Sequence, residues 1–146
     1  MNLRIAVPSV LLFVVLGTVA LQPHLGAEPS DGVFIHVSHG PEDPHRVLMA
    51  LNMAAMMAAS RDVLVYFDIT GVDAVLSSTE DFGYEPFPNL KAQLATLREA
   101  GVTLMACPGC LAAAGHEADD LADGVQVAEK DGFFAFTEGR ILALDY

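Results

Sequence analysis

An α/β domain built on a mainly parallel sheet of four to five strands is the fold class this sequence predicts, and three observations predict it. Short apolar runs rich in β-branched residues alternate with helical stretches, so each crossover helix returns the chain to the same edge of the sheet. The runs at 63–69 (VLVYFDI) and 102–106 (VTLMA) are apolar with little alternation, as strands buried on both faces are. A length of 146 residues holds one domain with a proper core and hardly two.

Residues 1–27 read as a targeting segment. Arg4 supplies a positive start, 5–21 is nearly all apolar, and Leu25-Gly26-Ala27 offers a small-residue cleavage site before Glu28, with 18–20 as a second. The run is short for a spanning helix and contains Pro8 and Gly17. The expected division is a signal peptide over 1–27, with an uncleaved anchor as the alternative, and a single domain over 28–146. Ala27 is not followed by Cys, so no lipid-anchor box is visible. The expected location is periplasmic or otherwise exported, with membrane contact only through the leader. Outside the cytoplasm a dithiol tends to be oxidised unless something reduces it.

The formal net charge is −12, and losing Arg4 would leave 6 basic residues against 19 acidic ones. Such a chain is no nucleic-acid partner and no anionic-membrane binder, because neither polyanion gains from an acidic surface.

The strand at 33–38 (VFIHVS) ends in a loop dense in turn residues, 39–44. Asp43 suits an N-cap and Pro44 the first helical turn. The helix from 45 to about 59 is apolar almost all round, with Val47, Leu48, Met49, Leu51, Met53, Met56 and Met57. Sheet is expected on one side of it and another subunit on the other. After the strand at 63–69, with Asp68 near its C-terminal end, 70–76 suits a short helix. The stretch 77–88 (SSTEDFGYEPFP) is long enough for a lid or a docking loop. Residues 89–100 make an amphipathic helix with Leu90, Leu94 and Leu97 on one face and Gly101 as C-cap. Downstream, 116–123 reads as short helix and loop, 124–128 as irregular or briefly extended, 129–137 as a helix carrying Phe133, Phe134 and Phe136, and 140–146 as a final strand.

The chemistry centres on 102–114, VTLMACPGCLAAA. A buried strand delivers Cys107, Pro108 and Gly109 turn the chain, and a helix begins at Cys110. These are the only two cysteines in the chain. Backbone N–H groups and the helix dipole can stabilise a thiolate there. In parallel sheets ligands bind beyond the strand C-termini, so that edge should gather His39, Asp68 and Cys107. A structural disulfide across so short a loop would remove little unfolded-state entropy, which favours a chemical role for the pair. Histidine's unperturbed range suits proton transfer, which makes His39 a candidate proton donor or acceptor beside Cys107, with a turn-capping loop histidine as the other reading. The alternative from the residues is metal binding by Cys107, Cys110 and His116, a C-x2-C-x5-H set suited to zinc or cuprous copper, with His39 as a fourth ligand. His36 and His45 read as structural, Tyr84, Phe82 and Phe87 as interface or self-packed loop, and Met49, Met53, Met56 and Met57 as core or interface filler. A thioredoxin fold is not indicated, since its CxxC follows an earlier strand.

Two stretches carry a resemblance. The segment 33–58, VFIHVSHGPEDPHRVLMALNMAAMMA, resembles the opening of DsrE-like proteins. The segment 101–129, GVTLMACPGCLAAAGHEADDLADGVQVAE, resembles their central part, with an L-x-x-G-V loop at 121–125. The resemblance implies a flavodoxin-like three-layer α/β/α fold, homo- or hetero-oligomers and, in the sulfur-handling members, a persulfide-carrying cysteine at the position of Cys107. Cys110 and the leader lie outside the sulfur-carrier pattern. The expected function is sulfur or thiol handling through Cys107 and Cys110, with His39 in support, by persulfide carriage or dithiol–disulfide exchange. The partners would be a second copy of the chain and a sulfur donor, a sulfur acceptor or a thiol-redox protein. No cofactor is called for. The alternative is a metal-binding or non-catalytic oligomeric protein in which the CPGC turn is structural.

Overall fold

Along strand β1 (Gly32–Val37) the side chains of Val33, Ile35 and Val37 are buried, while those of Phe34 and His36 are only half-buried. Successive side chains of a strand point to opposite faces, so one face of the sheet is sealed and the other is partly open. The computed structural model describes residues 30–146, and the leader expected at 1–27 lies outside them.

Strands β1, β2 (Asp62–Phe67), β3 (Thr103–Ala106), β4 (Val125–Val127) and β5 (Ile141–Asp145) form one sheet in the order β4-β3-β2-β1-β5. Every neighbouring pair is parallel. The connecting helices are α1 (Pro44–Ala58), α2 (Leu90–Glu99), α3 (Pro108–Ala113) and α4 (Lys130–Phe136), with 3-10 turns at Ile69–Val75 and Ala118–Asp120. The first three connections each step one strand in the same direction, and right-handed crossovers put α1, α2 and α3 on one face. The fourth runs from β4 back across the sheet to β5, which places α4 on the other face. There Phe133 meets Phe34 and Tyr66 at ring-centroid distances of 5.6 and 5.1 Å. The outcome is a three-layer α/β/α fold with five parallel strands.

The sealed face holds the core. Ile35, Val37, Leu48, Leu51, Val65, Phe67, Leu97 and Leu104 are fully buried in one cluster beneath α1 and α2. Gln93 is polar among them because its Nε2 has work to do: it donates to the carbonyls of Leu48, at 3.2 Å, and Pro88, at 2.9 Å, tying the loop before α2 to α1. On the outer side of α1, Met49 and Met56 are exposed, while Met53 and Met57 pack against the core's edge. No helix among the described residues is long and apolar enough to cross a membrane.

Element ends follow the residues read as caps. Asp43 Oδ1 accepts from the Arg46 N–H at 3.3 Å, and Pro44 opens α1. The cap of α2 is Ala100, one residue before the expected Gly101. Gly101 takes φ 74°, and Val102 N–H then donates to the Leu97 carbonyl as the chain enters β3. Residues 125–127, expected to be irregular or briefly extended, are the edge strand β4. In the 77–88 loop Tyr84 stacks on His45 at 4.4 Å, joining that loop to the start of α1.

Two glycines let the loops at the C-terminal edge press together. A Cβ on Gly71 would lie 2.1 Å from the Val37 carbonyl oxygen, and one on Gly40 would lie 2.3 Å from that of Thr70. The turn after β2 therefore crosses the end of β1 at backbone contact distance. Gly71→Ala is expected to destabilise the domain by more than about 2 kcal/mol in urea unfolding, because the obstructing atom is a strand carbonyl that cannot swing away. A loss below about 0.5 kcal/mol, the size of an ordinary surface change, would show that the crossing is not held.

Candidate functional site

Pairing across the sheet sets out the site rung by rung. Asp145, His36, Tyr66, Met105 and Gln126 stand in register across β5, β1, β2, β3 and β4. By alternation they share the face that α4 covers. Two residues beyond Tyr66 and Met105 come Asp68 and Cys107, both in extended backbone and so on the same face, just past the strand ends. The Cys107 N–H donates to the Phe67 carbonyl at 2.8 Å, which fixes the thiol's position relative to β2.

Cys107 is the residue at which strand becomes helix. It caps α3, with its Sγ accepting from the Cys110 N–H at 3.4 Å and its carbonyl accepting from the Leu111 N–H at 3.0 Å. Pro108 at the first helical position brings no N–H to satisfy. Both sulfurs are free thiols on partly exposed residues.

The two thiols are driven apart electrostatically. Burial works against ionisation of Cys107. It is outweighed by hydrogen bonds from the Tyr66 hydroxyl, the Cys110 thiol and the N–H groups of Cys110 and Gly109, which hold Cys107 below the usual thiol value. Cys110 moves the other way: its hydrogen bond to Cys107 and its burial raise it, against a hydrogen bond from the Ile69 N–H. Burial first and Cys107 second push the Tyr66 phenol well above its ordinary value, so Tyr66 stays protonated and able to donate. The arrangement biases Cys107 toward thiolate and Cys110 toward thiol, with the Cys110 N–H on the Cys107 sulfur.

Of the residues expected at this edge, Cys107, Cys110 and Asp68 come together. The charge of Asp68 is felt at both Cys110 and Tyr66. His39 stands on the loop leading to α1, its Nδ1 3.2 Å from Ser38 Oγ, and among the described residues it makes no hydrogen bond to either sulfur. The loop carries it toward the sealed face, where α1 lies. The histidine that joins the cluster is His36, read from the sequence as structural: Nε2 is 2.8 Å from Asp68 Oδ1, and Nδ1 is 2.7 Å from Asp145 Oδ1. His116 lies 3.5 Å from Asp120, in the 3-10 turn after α3. Among the described residues no three His, Cys, Asp or Glu side chains stand where they could share a metal ion, so Cys107, Cys110 and His116 form no ligand set.

Sequence reasoning does not mark Tyr66 or Asp145, and it reads His36 as structural. A signal existed: each is a polar group near the C-terminal end of an otherwise apolar strand, the end where parallel sheets place their sites. A recess at the opposite edge is lined by Asp31, Arg61, Asp62 and Arg140, with Asp31 and Arg140 already paired to each other. It offers nothing to the thiols.

Removing the Tyr66 hydroxyl isolates its contribution. In Tyr66→Phe, iodoacetamide alkylation of Cys107 is expected to titrate at higher pH and to run about three- to tenfold slower near neutrality, because the thiolate loses its strongest donor. An unchanged titration midpoint would remove Tyr66 from the site.

Comparison with known proteins agrees with the fold. The model of the DsrE/DsrF-like family matches residues 31–137. The crystal structure of the ychN protein from E. coli superposes with a TM-score of 0.64 at 18% sequence identity, over 78% of this chain and 99% of that one. A protein of unknown function from Methanobacterium thermoautotrophicum, MTH1491, superposes with a TM-score of 0.58 at 23% identity, over 79% of this chain and 99% of its own. At these identities both show the shared fold alone. No curated protein matches the chain. With the family model spanning the sheet from before β1 to the end of α4, the chain belongs to the DsrE/DsrF-like family.

Proposed function

We propose that this chain is an exported sulfur- or thiol-handling protein whose working group is the Cys107–Cys110 pair. The observation that supports it is the opposed bias of two thiols within hydrogen-bonding reach, Cys107 toward thiolate and Cys110 toward thiol. Membership of the DsrE/DsrF-like family points the same way.

In the loading step the Cys107 thiolate attacks the outer sulfur of a donor persulfide. The donor's S–S bond breaks, the donor leaves as a thiolate, and Cys107 holds Sγ–SH. Two exits follow. An acceptor thiolate can take the outer sulfur and return Cys107 to its thiolate. Alternatively Cys110, having given up its proton, attacks Cys107 Sγ, which forms the intramolecular disulfide and expels hydrosulfide. A dithiol reductant then supplies two electrons and two protons to restore the pair. In an exported location that reductant decides which exit dominates.

The apolar outer side of α1, with Met49 and Met56 exposed, fits self-association, since soluble monomers rarely leave such side chains uncovered in a row. Light scattering on the purified chain is expected to give a dimer or larger assembly. A monomer at micromolar concentration would leave that helix face without the proposed role.

The test of the chemistry is mass spectrometry after incubation with a small-molecule persulfide. Wild-type chain is expected to gain one sulfur on Cys107. Cys107→Ser should gain none, and Cys110→Ser should keep the added sulfur several-fold longer, because nothing resolves it. Sulfur loading on Cys107→Ser equal to wild type would overturn the assignment.

A further inference from the structure

His36 belongs to the site without touching a sulfur. Its two ring nitrogens each face a carboxylate oxygen, Asp68 at 2.8 Å and Asp145 at 2.7 Å. A carboxylate oxygen at each ring nitrogen is the arrangement that a doubly protonated imidazolium satisfies, donating one hydrogen bond to each. The Asp145 side chain is 79% exposed, whereas Asp68 is 22% and His36 27% exposed. Solvent therefore screens the Asp145 end of the bridge far more than the Asp68 end. Asp68 is also the carboxylate whose charge disfavours ionisation of Cys110 and Tyr66.

We propose that His36 is a positioning residue for the dithiol: clamped between Asp68 and Asp145, its cation engages Asp68 and offsets the carboxylate charge that ends β2 beside Cys107. This rests on the reading of Cys107 as the working thiolate. In a chain of net charge −12 with few Lys or Arg, an imidazolium two strands away, bridged to the thiol through Asp68 at the end of β2, is the means at hand for shielding a thiolate from its own protein.

The groups around His36 are few. The end of β2 supplies Asp68, β5 supplies Asp145, and β2 supplies Tyr66, whose ring centroid lies 6.3 Å from the imidazole. Phe34 flanks it on β1, and α4 brings the uncharged Phe133 against Phe34 and Tyr66. Burial pulls the imidazolium down, yet Asp145 and Asp68 together hold it above the usual histidine value. Below that raised value His36 is charged and Asp68 is compensated. As the pH rises through it the cation is lost, Asp68 stands alone, and the Cys107 thiolate becomes harder to form. His36→Gln keeps one amide hydrogen bond to a carboxylate and no charge, so it sets the uncompensated state at every pH.

The experiment is site-resolved iodoacetamide alkylation of Cys107 in the full chain, followed from about pH 5 to about pH 10. In His36→Gln the midpoint is expected to rise and the rate near neutrality to fall about three- to tenfold; adding Asp68→Asn should return it to within about twofold of wild type. A purely structural histidine would lower the melting temperature and leave the midpoint in place. An unmoved midpoint, or a double variant no faster than His36→Gln, overturns the proposal. Should His36→Gln fail to fold, Asp68→Asn alone carries the test: alkylation near neutrality must be faster than wild type, and an equal or slower rate also overturns it. Alkylation reads thiolate only. A wild-type chain that refuses persulfide sulfur would therefore sink the sulfur-transfer reading and leave this inference standing.

Discussion

One backbone hydrogen bond decides where the Cys107 thiol sits: the Cys107 N–H on the Phe67 carbonyl, at 2.8 Å. It extends the β2–β3 pairing one step past the last paired residues, Phe67 and Ala106. That step sets Cys107 beside Asp68 and just above Tyr66, on the face that α4 covers among the described residues. A one-residue slip of β3 would turn Cys107 into the sealed core and present Ala106 or Pro108 instead, since strand register and side-chain facing are locked together. The buried cluster beneath α1 and α2 enforces the register, because Leu104 and Ala106 must face it for the core to close. Core packing on one face thus places the thiol on the other.

The same asymmetry explains how polar groups come to lie on strands that read as apolar throughout. The face under α1, α2 and α3 is dry and takes Val33, Ile35 and Val37 from β1; the opposite face has one seven-residue helix over it, and Phe34, His36 and Tyr66 there are only half-buried. Asp68, Asp145 and His36 survive there because water reaches one end of the cluster and hydrogen bonds satisfy the other. The elements themselves were legible in the sequence, since periodicity, Asp43 with Pro44, and Gly101 are local signals. So was the thiol at a strand's end. The His36–Asp145 partnership was not: its members are 109 residues apart, and their contact depends on β5 returning to pair with β1, which no local pattern reports. Nor was the choice between His36 and His39. It turns on where β1 ends and the loop toward α1 begins, a matter of one or two residues.

Activation of this thiol relies on neutral donors. The groups that hold Cys107 toward thiolate are a phenol, a thiol and two backbone N–H groups, with no lysine or arginine among them. An acidic chain has good reason for this. Each cation placed beside the sulfur would also be drawn to the surrounding carboxylates, whereas a phenol raised well above its ordinary value stays a donor throughout the physiological range. Neutral donors also leave a persulfide or a departing hydrosulfide free of a fixed counter-charge.

Ile69 shows that the backbone is bent to the same end. It takes φ 50°, a left-handed conformation that a β-branched side chain disfavours by about 1–2 kcal/mol, and its side chain is exposed, so no burial offsets the cost. Asn or Gly would suit the position better on local grounds. The conformation belongs to a tight turn in which the Asp68 carbonyl accepts from the Gly71 N–H at 2.7 Å and Gly71 crosses the end of β1. The same crossing holds Asp68 within range of His36. Strain at Ile69 and close packing at Gly71 are two consequences of bringing the ends of β1, β2 and β3 to one point. The fold can bear that strain because the buried cluster beneath the sheet fixes all three strand ends independently of the turn.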